Sequence, residues 1–166
     1  MRGASRGFSF LELMLVLAVV GILIMMTLPS LREGAIRKQV KEGMALADLA
    51  QKGVAAHYAA SGEMPNNNEQ AGIPPANKIV GNFVKAVDVT EGAVTLTFGN
   101  NANSAIEGKK LTLRPAIVPE HRAVPIAWVC AHVAVPRNME AKGRDATDIP
   151  INWLPVECRS AEAAKK

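Results

Sequence analysis

The chain has 166 residues, of which 49% are apolar, 20% charged and 4% aromatic, and its formal net charge is +4. That length allows one compact domain with an appendage. Arg2 and Arg6 supply two of the excess positive charges, so the remainder is too dilute for a nucleic-acid surface, and the few aromatic residues offer no stacking platform for single strands.

The N-terminus carries most of the information. A short basic leader, MRGASRG, precedes the run FSFLELMLVLAVVGILIMMTLP, and from Phe8 to Leu31 the only charged residue is Glu12. A cleaved secretory signal would have an apolar core of about 7–15 residues followed by a small-x-small site. This run is longer, at about 22 residues, and its small residue, Gly7, comes before it. A membrane anchor fits the length, with Arg2 and Arg6 holding the N-terminus in the cytoplasm. Glu12 then sits at a cost of roughly 2.5–3.5 kcal/mol unless it has a partner, reaches the interface or is protonated. A third reading accounts for Gly7, Phe8 and Glu12 together. Cleavage between Gly7 and Phe8 would create an α-amine at Phe8, and Glu12 four residues on could pair with that amine on a neighbouring helix. Such a buried pair fixes the register of the two helices.

These residues carry a resemblance. Gly7-Phe8-Ser9-Phe10-Leu11-Glu12-Leu13-Met14 resembles the type III signal of type IV pilins and the related pseudopilins, with Gly21 and Pro29 at the positions of the family's helix glycine and proline. The resemblance implies that a prepilin peptidase cuts after Gly7 and methylates Phe8, and that Glu12 and the Phe8 amine form the assembly salt bridge. It extends along the whole chain, carried most by residues 7–62, less by 79–130 and least by 131–166.

The first helix is expected to be weakest between Gly21 and Pro29, because glycine lowers helix propensity and proline removes a backbone donor. Beyond Pro29 the pattern turns amphipathic. Ile36, Val40, Met44, Ala47, Gln51, Val54 and Tyr58 recur at spacings of three and four, with Arg37, Lys38, Lys41, Asp48 and Lys52 between them. Ala60-Ser61-Gly62 predicts the helix end, with Gly62 as a left-handed cap. From Phe8 to Ala60 such a helix would measure roughly 80 Å, so its first half needs a membrane or other helices around it.

Residues 63–78, with Pro65, Asn66, Asn67, Asn68, Gly72, Pro74 and Pro75, read as a loop. Strands are expected at 79–89, 93–98, 111–118 and 124–129, separated by turn signals at Glu91-Gly92, Gly99-Asn100-Asn101 and Glu107-Gly108. The expected fold is therefore α+β, a long N-terminal helix packed on a four-stranded antiparallel meander. Residues 131–153 are expected to form an irregular surface loop, and the tail from Arg159 to be frayed. The two cysteines, Cys130 and Cys158, read as one disulfide in an oxidising compartment, given an export-type N-terminus; two separate buried thiols are the alternative. A bridge would close a loop worth on the order of 3 kcal/mol. The expected organisation is a leader at 1–7, an apolar helix at 8–30, an amphipathic helix at 31–62 and a head at 63–166 that includes the closed region 130–158.

No catalytic, cofactor or metal motif emerges. His57, His121 and His132 lack metal spacing, and Asp145 and Asp148 lack the alternating oxygen ligands of a calcium loop. There is no G-x-S-x-G, P-loop or dinucleotide fingerprint, so no enzyme is expected and no cofactor. Met14, Met25 and Met26 fit packing within an apolar run. The resemblance implies a structural filament subunit. Its precursor would lie in the inner membrane with a cytoplasmic N-terminus and would later leave as an extracellular pilus. The implied partners are other copies of the chain in a helical filament, the prepilin peptidase and N-methyltransferase, the assembly platform with its ATPases, the outer-membrane secretin, and surfaces or DNA met during adhesion, twitching or DNA uptake. A pseudopilin of a type II secretion system and a non-polymerising single-pass periplasmic binding module are the alternatives.

Overall fold

The computed structural model describes residues 9–159, with the side chains of residues 27–31 outside that description. Gly7, Phe8 and the tail from residue 160 lie outside it as well. The chain divides into two units, Met1–Ala35 and Ile36–Lys166. Helix α1 spans Phe10–Ser61, and strands β1 (Val84–Thr90), β2 (Ala93–Phe98), β3 (Lys110–Ile117), β4 (Ala127–Cys130) and β5 (Glu140–Ala141) follow.

In the second unit, α1 turns one stripe inward: Ile36, Val40, Gly43, Ala47, Ala50, Val54 and Tyr58 are buried. The periodicity is the expected one, but the stripe passes through Gly43 and Ala50, leaving Met44 and Gln51 half-buried at its border. Small residues are needed there because the sheet comes close. A Cβ on Gly43 would stand 2.8 Å from Cε1 of Phe98 and 2.9 Å from Cγ2 of Val84. At Gly53 it would run into the carbonyl of Ala71. The helix stops at the expected place, with Gly62 at φ 80° and its N–H donating to the Tyr58 carbonyl at 2.8 Å.

The sheet is antiparallel with strand order β1-β2-β3-β4. Val87, Val89, Val94, Leu96, Phe98, Leu111 and Leu113 join the helix stripe in one core, as period-two alternation requires. Strand β2 has the bounds read from its sequence, whereas β1 begins five residues later than expected. Gly81 causes the delay: its N–H bonds the Val84 carbonyl at 2.8 Å and folds residues 81–84 into a turn. β4 begins after Pro125, which has no N–H for a ladder.

The segment 131–153 is more ordered than a surface loop. Within it β5 pairs with β3 at Ala116 and Ile117, continuing the edge that β2 covers at residues 110–113. Pro115 lies at the join. The Lys142 N–H donates to its carbonyl at 2.8 Å, and the N–H that proline lacks falls where β2 has ended. On the other edge, beyond β4, side chains replace a strand. Thr147 Oγ1 accepts the Thr112 N–H at 3.0 Å, Asp148 Oδ1 accepts the Lys110 N–H, and the Asp148 N–H returns a bond to the Lys110 carbonyl at 3.2 Å. The Cys130–Cys158 disulfide is formed, with Cα atoms 4.8 Å apart, and it ties the chain end to β4.

Candidate assembly interface

In the first unit, residues 10–26 form an apolar stretch of α1 with no covered face. Every described side chain along it is exposed. The large apolar ones range from 43% accessible at Val20 to 77% at Phe10 and Met25. A helix that is hydrophobic all round is normally buried, in a membrane or among other helices. Removing that much apolar surface from water is worth on the order of tens of kcal/mol, taking roughly 1.5–3 kcal/mol per large side chain. The described stretch falls short of the ~20 residues a span needs. Among the described residues no helix is long and apolar enough to cross a membrane; the expected segment 8–30 extends at both ends into residues outside the description.

Glu12 lies in the first turn of α1 and is exposed. A carboxylate near a helix N-terminus is favoured by the macrodipole. The next cation along the described helix is Arg32, about 30 Å further on at 1.5 Å per residue. Gly21 also faces open space, with nothing within 4 Å of where a Cβ would be. α1 continues through Gly21 and Pro29.

In the head, His132 and the two acids considered from sequence make structural contacts. His132 Nδ1 pairs with Asp145 Oδ2 at 3.0 Å, while Asp145 Oδ1 accepts the Thr147 N–H at 2.9 Å. Asp145 and Asp148 therefore shape the segment that caps β3. Among the described residues no three His, Cys, Asp or Glu side chains gather as a metal site. Sequence reasoning missed three contacts: Asn68 against β1, Arg122 over Gly62, and Met44, whose sulfur lies 3.8 Å from Cys158 Sγ. The asparagine run at 66–68 marked a loop, and nothing in it singled out one residue as a partner for a strand.

A family model described as pilin, a bacterial filament protein, matches residues 37–159, and a second, the prokaryotic N-terminal methylation motif, matches residues 2–28. A type IV major pilin protein, PilE1 of Neisseria gonorrhoeae, is 34% identical over 99% of this chain and 92% of its own length. The chain belongs to the type IV pilin family. A fimbrial protein of Neisseria meningitidis serogroup B is likewise 34% identical, over 99% of each chain. The type IV major fimbrial protein FimA of Dichelobacter nodosus is 31% identical over 98% of this pilin and all of its own length. The family is one of structural filament subunits. In this pilin, the methylation-motif match covers both the Gly7-Phe8 junction and Glu12, and the pilin match covers the sheet and the disulfide.

Proposed function

We propose that this pilin is the structural subunit of a type IV pilus, made as a membrane-inserted precursor and polymerised through its N-terminal helix. The observation that carries this reading is the bare apolar stretch at residues 10–26, whose only charge is the exposed Glu12. In a packed bundle of such helices the exposed apolar surface finds cover, and dispersion summed over many contacts resists shear.

The order of events follows from the chemistry of the N-terminus. Arg2 and Arg6 keep the leader in the cytoplasm while the apolar helix, including residues 8–30, lies in the inner membrane. The prepilin peptidase cuts after Gly7 and the new Phe8 amine is methylated. A methylated secondary amine remains a cation at neutral pH, so it still serves as Glu12's mate. Glu12 of one subunit pairs with the Phe8 amine of the next and sets their register, since misregister leaves two buried charges unpaired. Gly21 and Pro29 form the weak stretch where the helix yields as subunits pack. An assembly platform and its ATPase supply the work, and the filament leaves through a secretin. The head loops then meet surfaces, DNA or host cells in adhesion, twitching or DNA uptake. The Cys130–Cys158 bridge and the names of the relatives favour this over a pseudopilin.

Mass spectrometry of filaments sheared from cells making the protein tests the reading. The expected result is an abundant band whose mature N-terminus is methylated Phe8. Recovery of the chain only as a membrane monomer with Met1 in place would overturn it.

A further inference from the structure

At the end of α1 the head holds a cavity of about 480 Å³, bordered by the helix terminus, the loop after β3 and strand β5. Small-molecule pockets measure about 300–1,000 Å³. Met64 and the buried Ile117 give this one an apolar wall. Tyr58 lines it as well, and only 7% of that residue is exposed. Among the described residues its hydroxyl makes no hydrogen bond. Among the same residues the one dry side-chain polar atom without a partner is Arg114 Nε. The Tyr58 hydroxyl therefore opens onto the cavity, where it keeps both its donor and its acceptor capacity.

Arg122 stands beside it. A Cβ at Gly62 would fall on the Arg122 guanidinium, so that group lies against the end of α1. The helix has no basic residue in its last turn, and a cation there suits the macrodipole. Among the described residues the guanidinium has no carboxylate partner. Glu63 and Glu120, both exposed, border the same space and are equally unpaired, whereas Lys142 is neutralised by Glu140 at 2.8 Å.

These groups define the ligand's chemistry. An anion would meet Glu63 and Glu120, and a cation would meet Arg122. A neutral molecule rich in hydroxyls meets neither conflict, since each hydroxyl can accept from the guanidinium or donate to a carboxylate. We propose that this cavity binds a neutral saccharide of one or two rings. Tyr58 and Arg122 donate to its hydroxyls, Glu63 and Glu120 accept from them, and the apolar face of the ring lies against Ile117 and Met64. The site lies within a single head, so it goes beyond the filament reading and does not depend on it.

Ligand-observed NMR titration of the full chain, in a detergent without a sugar headgroup, tests this with galactose, N-acetylglucosamine and lactose. The expected result is saturable binding of at least one of the three. N-acetylneuraminic acid and glucosamine, which add an anion and a cation, should bind about tenfold more weakly or worse. Tyr58→Phe keeps the buried ring and removes only the hydroxyl, so its Tm should match that of the parent chain. It should weaken sugar binding about fivefold, the worth of one neutral hydrogen bond, and Arg122→Ala should weaken it about tenfold or more. Failure of all three neutral sugars to bind overturns the proposal. So does tighter binding of either charged sugar, or binding that Tyr58→Phe and Arg122→Ala leave unmoved.

Discussion

The side-chain amide of Asn68 stands in for a missing strand beside Val89. Its Oδ1 accepts the Val89 N–H at 2.7 Å, and its Nδ2 donates to the carbonyls of Val87 and Pro74, each at 2.9 Å. β1 is an edge strand, and an edge with free N–H and C=O groups invites pairing with other chains. Asn68 is itself buried, so it satisfies these groups where water does not.

Replacing it should therefore cost more than one ordinary hydrogen bond. Asn68→Ala leaves one donor and two acceptors without partners and should destabilise the protein by about 2–4 kcal/mol, allowing 1–3 kcal/mol for each group that stays dry. Thermal unfolding of the full chain in detergent would measure the loss. The variant should also aggregate earlier than a surface control such as Asn77→Ala. A change in stability within experimental error of wild type would mean that water replaces the amide.

The β1–β2 hairpin makes a prediction of opposite sign. Thr90 pairs with Ala93, so Glu91 and Gly92 form a two-residue turn, with φ 51° and 80°. Positive φ at both central positions is the type I′ turn, for which Asn-Gly is the favoured pair. Glu91 is exposed and occupies the left-handed position at a steric cost that asparagine largely avoids. Glu91→Asn should stabilise the head by about 0.5–1 kcal/mol and raise Tm by about 1–4 °C. A lower Tm would show that the Glu91 carboxylate contributes something the turn geometry does not require.

The disulfide holds the end of the chain against β4. Cys130 and Cys158 are separated by 28 positions, and both are buried. Changing both to serine should cost about 3 kcal/mol through the regained entropy of the open loop. Residues 131–157 should then become the first site of proteolysis, because the covalent tie is gone and noncovalent contacts hold them, among them β5, the Thr147 and Asp148 bonds and the buried side chains of Ile149 and Leu154. Limited digestion followed by peptide mass mapping would detect this, and unchanged cleavage would assign the restraint to those noncovalent contacts.

What could be read from sequence divides along physical lines. The alternation in AVTLTF gave β2 to the residue, and the three-four spacing gave the buried helix face from Ile36 to Tyr58. Both patterns are local, set by burial of one face of one element. The choice of Gly43 over Met44 was not legible, because it depends on how near Phe98 comes from a strand more than fifty residues away. The same holds for Asn68, whose partners lie on β1, and for Thr147 and Asp148, which replace a strand by side-chain bonds to β3. β5 is two residues long and carries no periodicity to read. At the N-terminus the order was reversed. Gly7, Phe8 and Glu12 stood out from sequence because a charge in an apolar run is conspicuous without any fold.

That charge yields the prediction on which assembly turns. Glu12 has no cation within about 30 Å along the described helix, so a partner from the same stretch is out of reach. If the Phe8 amine of a neighbour is its mate, removing the carboxylate leaves that amine buried and unpaired, which costs about 3–5 kcal/mol for a desolvated ion pair broken on one side. Glu12→Ala and Glu12→Gln should both leave the chain abundant in membranes and cleaved at Gly7, yet reduce surface filaments by tenfold or more. Glu12→Asp keeps the charge on a shorter arm and should retain part of the yield. Blots of membrane and sheared fractions separate the two effects. Loss of the membrane pool would point instead to a role in insertion or stability. Normal filaments from Glu12→Ala would show that the register is set by the apolar packing of residues 10–26 without the ion pair.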